Sequence, residues 1–104
     1  LAGAQDYLED RNPSDPFMGY YYRILTRQGP KPPGGEYDYI INGNMIGGFA
    51  LLAYPSEWGQ DGVMTFVCSH QGKTFEKDLG AETLELAKHI QAYNPDDSWH
   101  QVEK

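Results

Sequence analysis

The chain is 104 residues long with a mass of 11.7 kDa, the size of one domain with a single modest core. Fifteen Asp and Glu against eight Lys and Arg give a net charge of -7, and such an acidic balance argues against a nucleic-acid backbone or an anionic membrane as partner. A lone cysteine, Cys68, excludes a disulfide scaffold, and no apolar run approaches the ~18 residues of a bilayer-spanning helix.

Residues 2–10 (AGAQDYLED) suit a short helix or the end of one. Pro13 and Pro16, with Asn12, Ser14 and Asp15 around them, forbid a regular element, so 11–17 reads as a linker. Because the first residue is Leu1 rather than Met, a processed product or a fragment is expected. Met18 to Arg27 is rich in aromatic and β-branched residues and predicts a strand. Tyr20, Tyr22, Ile24 and Thr26 share one face of it, and Tyr21, Arg23, Leu25 and Arg27 the other. The arginine-bearing face is expected to be the wetter one.

Residues 28–36 (QGPKPPGGE) form a stiff loop with three prolines and three glycines. A short strand over 37–41 and an Asn42-Gly43 turn suggest a hairpin. Ile46 to Tyr54 is a mostly apolar run, expected to be a buried or central strand. Gly47 and Gly48 within it mark a bulge or a close approach to the backbone. After the loop 55–62, Val63 to Ser69 and Lys73 to Leu79 form a hairpin around His70-Gln71-Gly72, with Phe75 and Leu79 on one face of the returning strand.

Ala81 to Tyr93 reads as a helix of about three turns, with Leu84, Ala87 and Ile90 on one stripe and Asn94-Pro95 as its stop. Its acids come early and its bases late, complementing the helix dipole. A polar tail follows, pinned by Trp99 and Val102. The expected fold is α+β: an antiparallel sheet of four to five strands with the C-terminal helix packed on one face. The organisation is an N-terminal arm over 1–17, one domain over 18–93 and a tail over 94–104.

Chemistry-bearing patterns are sparse. Cys68 and His70 lie two apart on a strand and point the same way, the arrangement of a thiolate nucleophile with its base. Alternate residues on one strand stand roughly 6–7 Å apart, however, so hydrogen-bond reach is not assured. His70, His89 and His100 lack close ligand spacing for a metal. Glu76 with Asp78, and Asp96 with Asp97, suit solvated surface charge. Neither glycine pair has the spacing of a phosphate loop. No catalytic residue, metal or cofactor is assigned.

Aromatic residues are the stronger signal: of eight tyrosines, Tyr20, Tyr21, Tyr22, Tyr37, Tyr39 and Tyr54 concentrate with Trp58 in two strands and their loops. Tyr21, Tyr37, Tyr39 and Trp58 are the candidate residues of an exposed aromatic interface, since Tyr and Trp bury much area with few torsions.

Three stretches carry a family resemblance: Gly19 to Thr26 with Gln28-Gly29-Pro30, Gly34-Gly35 and Tyr37-Asp38-Tyr39; Met45 to Leu51 with Ala53-Tyr54-Pro55; and Gly62 to Phe66 leading to Lys77-Asp78-Leu79-Gly80. Over about 13–102 the chain resembles the C-terminal part of an uncharacterised bacterial family known only as a domain of unknown function. A looser similarity is to the globular sheets of type IV pilin-like and pseudopilin proteins. The resemblance implies an exported protein, periplasmic or extracellular, and a longer precursor. The expected role is non-catalytic and structural, with a homo-oligomer or the upstream part of its own precursor as partner. The alternative is a periplasmic carbohydrate- or peptide-binding module, and the third reading is an enzyme using Cys68 and His70.

Overall fold

The computed structural model describes residues 16–102. The helix expected over 2–10 and most of the linker lie outside the described residues. In chain order the strands are β1 (Tyr20–Leu25), β2 (Arg27–Gln28), β3 (Tyr37–Asp38), β4 (Ile40–Ile41), β5 (Asn44–Met45), β6 (Ala50–Pro55), β7 (Met64–Ser69), β8 (Thr74–Asp78) and β9 (His100–Gln101). A 3-10 turn over Gly80–Glu82 leads into one helix, α1 (Thr83–Lys88), before β9. The main sheet is antiparallel throughout, in the order β1-β6-β7-β8-β9, while β2-β3 and β4-β5 form two small ladders beside it. The α+β class and the one-sided helix are as the residues predict.

Register assigns the two faces. Arg23, Leu52, Val67, Phe75 and Gln101 form one row across all five strands, and Leu25, Ala50 and Ser69 the next. This face is the core. Leu25, Ala50, Leu52 and Val67 are buried with Tyr39, Ala87 and Tyr93, and Phe75, Leu79, Ile90 and Trp99 pack around them. The arginine-bearing face of β1 is thus the covered one, opposite to expectation. The reason is a long-range contact: the Arg23 guanidinium donates to the Ala87 carbonyl at 2.6 Å, at the C-terminal end of α1 where a cation is favoured.

The helix is shorter than the 81–93 its pattern predicts. His89 and Ile90 donate to Leu86 and Ala87, closing the end with tight three-residue turns. The chain then unwinds, because the backbone of Tyr93 is used by β2: Tyr93 N–H donates to Arg27 O, and Gly29 N–H donates to Tyr93 O. The buried stripe is Thr83 and Ala87, and Leu84 is exposed. The apolar run 46–54 also shortens at its start, with β6 beginning at Ala50. A side chain at Gly48 would collide with the His70 ring, and one at Gly47 would press on the Tyr39 backbone. The tail supplies β9, and Val102 N–H donates to Thr74 O.

Thr65 is fully buried on the core face, and its hydroxyl has no hydrogen-bond partner among the described residues. An unsatisfied buried hydroxyl destabilises. Thr65→Val keeps the shape and removes that oxygen, and should raise unfolding free energy by about 1 kcal/mol in urea denaturation. An unchanged or lower midpoint would contradict this account of the residue.

Candidate functional site

The four aromatic candidates do not form one surface. Tyr39 is completely buried. Its hydroxyl donates to Gln28 Oε1 at 2.9 Å, and its backbone N–H to Thr26 O at 2.8 Å. It is a core residue, so its expected place in an exposed interface is corrected. Tyr37 is half-buried, edge-on to Tyr39, with its hydroxyl donating to Gly47 O at 3.0 Å. Tyr21 lies on the helix side of the sheet, its ring against Tyr54. Only Trp58 is substantially exposed, at 39%.

Trp58 sits at the mouth of an open cleft of about 590 Å³ between the loop after β6 and the start of α1, lined also by Ser56, Glu57, Gln60, Thr83 and Glu85. Its indole N–H donates to Asp78 Oδ1 at 2.8 Å, and the same oxygen accepts from the Gly80 backbone. These bonds tie the indole to the end of β8, with polar groups around it.

The Cys68 and His70 pair finds no support in the geometry. Cys68 lies on the sheet face away from the helix, opposite Leu51 and Thr74. His70 lies beyond the strand, with its ring against Phe49 and Tyr39, and Nε2 is 3.4 Å from the Tyr37 hydroxyl. Burial pushes the Cys68 thiol above its ordinary value, the reverse of an activated nucleophile. Among the described residues, no group of three or more His, Cys, Asp and Glu is placed to hold a metal ion.

Several large apolar side chains are also exposed. The β4-β5 hairpin turns through Asn42 (φ 53°) and Gly43 (φ 81°), the left-handed pair that a two-residue hairpin turn requires. Ile40, Ile41, Met45 and Ile46 are all exposed around it, Ile46 at 72%, and Phe49 is exposed just beyond. Residues 39–56 contain no charged side chain. That uncharged stretch was the available sequence signal for the patch. Attention to tyrosine obscures it, because isoleucine in a run of strand-forming residues reads as core.

A second apolar area is the sheet face away from α1. Tyr22, Ala53, Phe66, Glu76 and His100 form one row of it, and Ile24, Leu51, Cys68 and Thr74 another. Tyr22 and Ile24 are more than half exposed.

These features define a small one-sided α+β domain whose distinctive surfaces are apolar. The chain belongs to the DUF2950 family, described as a protein of unknown function, whose pattern matches residues 2–102. No curated protein and no solved structure matches it. Among the described residues, no helix is long and apolar enough to cross a membrane.

Two titrations test the geometry. Burial first, then Tyr37 and Tyr93, push the Tyr39 hydroxyl from 10.0 to about 12. Its raised value stabilises the fold fully below pH 10, and this contribution fades as pH climbs towards 12. The loss amounts to about 3 kcal/mol, so alkaline denaturation should be steep across this window and flatter in Tyr39→Phe. For Cys68, alkylation at pH 7 should be slower than for a free thiol, with a rate–pH midpoint above the ordinary thiol value. Rapid reaction at pH 7 would restore the nucleophile reading.

Proposed function

We propose that this chain is a non-catalytic structural or assembly protein, exported to the bacterial periplasm or cell surface, which self-associates through an apolar patch. The observation that carries this reading is the β4-β5 hairpin: Ile40, Ile41, Met45 and Ile46 project around an Asn-Gly turn inside an uncharged stretch, with Phe49 exposed beside it. Exposed apolar side chains gathered on one hairpin, Ile40 with Met45 on one face and Ile41 on the other, suit a contact surface on a small acidic domain. The absence of charge matters for a chain of net charge -7, since two copies meeting at this patch bring no like charges together there. The export assignment rests on the family resemblance.

A second reading is favoured by the Trp58 cleft. An exposed indole held at its N–H by Asp78 and surrounded by hydroxyl, amide and carboxylate groups suits a carbohydrate ring or a short peptide. The indole face supplies apolar contact, and the polar lining supplies orientation.

Sedimentation over a concentration series separates the two. Self-association predicts a mass that rises with concentration. Ile41→Asp and Ile46→Asp should each weaken it at least tenfold, because an apolar side chain of this size contributes about 1.5–3 kcal/mol when buried. A monomer at all concentrations sinks the assembly reading. A monomer that gains thermal stability with a sugar or peptide panel, and loses the gain in Trp58→Ala, supports the second by mass action.

A further inference from the structure

Among the described residues, two apolar surfaces have no strand or helix over them, and they differ in shape. The first is the β4-β5 hairpin, a two-strand ribbon around which Ile40, Ile41, Met45 and Ile46 are all exposed. The second is the sheet face away from α1. There Tyr22 and Ile24 on β1, Leu51 on β6, and Phe66 and Cys68 on β7 form a flat apolar strip. Tyr22 and Ile24 are more than half exposed, and the other three are half-buried. Three strands spaced about 4.8 Å apart and six residues long make the strip roughly 10–15 Å by 20 Å. A ribbon of two strands at the same spacing is about 10 Å across, so the hairpin fits on the strip.

Like surfaces pressed together achieve less. Strip on strip buries well under the ~1,200 Å² of a stable interface between proteins and leaves the hairpin in water. Hairpin on hairpin leaves the strip in water. A hairpin laid on the strip of another copy uses both surfaces, so a copy with a neighbour on each side has neither left exposed. Charge favours the same match. None of the five strip residues is charged, and residues 39–56 contain no charged side chain. In a chain of net charge -7, the hairpin and the strip are surfaces that can meet without setting acid against acid at the contact.

The hairpin does not lie on the strip of its own chain. Its base is tied to the buried Tyr39, because Gly47 N–H donates to Tyr39 O at 2.8 Å and the Tyr37 hydroxyl donates to Gly47 O at 3.0 Å. Ile46, between that anchor and the ladder, is 72% exposed. The hairpin is thus held out from the body, with its apolar side chains available to a second molecule.

We propose that the β4-β5 hairpin of one copy docks on the open sheet face of the next, with Ile46 and its neighbours set against Ile24, Leu51 and Cys68. This rests on the self-association reading above and names the surface that receives the hairpin. The two halves of the contact are different, so it is heterologous: it repeats from copy to copy as a row, or closes as a ring where the rotation allows.

Sedimentation of the whole chain gives the first test. Ile24 is 57% exposed, so Ile24→Asp charges the strip without disturbing the core, and it should weaken association at least tenfold, as Ile46→Asp does. Equal parts of the two variants should associate again, but only into pairs, because one supplies an intact hairpin and the other an intact strip. Association of Ile24→Asp alone at the parent's strength means that hairpins meet hairpins, which overturns this proposal and leaves self-association standing. A mixture that stays monomeric while the parent associates overturns it too. A parent that is monomeric at every concentration sinks both readings. Cys68 lies on the strip and is the only cysteine, which allows a second test. One population keeps Cys68, and the other carries Cys68→Ser with Ile46→Cys, so each chain has a single thiol. A short bismaleimide should link the two kinds of chain at least tenfold more than either kind to itself. A statistical mixture of the three products, or a predominance of like linked to like, overturns the proposal.

Discussion

The fold turns on one buried amide. Gln28 is fully buried, and its side chain is hydrogen-bonded at both ends. Nε2 donates to Pro33 O at 3.0 Å and to Gly35 O at 2.8 Å, and Oε1 accepts the Tyr39 hydroxyl. Its own residue pairs with Tyr37 in β3 and bridges to Tyr93. One residue thereby fixes the proline-rich loop and Tyr39 through its side chain, and the second ladder and the segment after the helix through its backbone. A buried amide missing one of these partners would be a liability. With all three it locks segments that have few apolar contacts of their own, and it seats Tyr39 in the core.

That arrangement explains which parts of the fold were legible in sequence. The long strands were, because alternation along β1 and β7 accompanies burial on one face. The Asn42-Gly43 turn and the His70-Gln71-Gly72 turn were, because each depends on local backbone chemistry. The helix end was not: Ile90 and Tyr93 fit a helical stripe, yet the backbone of Tyr93 is used by β2 through contacts more than sixty residues distant in sequence. The covered side of β1 was misread for a similar reason. Arginine signals water unless a helix terminus meets it, and no local pattern announces that Arg23 reaches Ala87.

The candidate site divides the same way. Trp58 was placed at the surface by its polar loop, and it lies there. Tyr39 was counted with the other tyrosines, though its partner Gln28 sits in a different segment and the pairing has no sequence signature. The hairpin isoleucines invert the ordinary expectation that such residues form the core. Their exposure follows from the short β4-β5 ladder standing beside the main sheet rather than within it. Composition names the chemistry available to a surface, while topology decides which residues reach it.

The strand order also sets how the domain bears load. Phe17 adjoins β1 at one edge of the sheet, and Val102 leaves β9 at the other, about 19 Å away across four strand spacings. Tension applied between these two points pulls across the strands, so hydrogen bonds are broken in succession rather than sheared together. The two-residue β9 is the first to peel, and with it goes the anchorage of Trp99 beside the core. Within a longer tethered polypeptide, this domain would behave as an extensible element that yields gradually from its C-terminal edge.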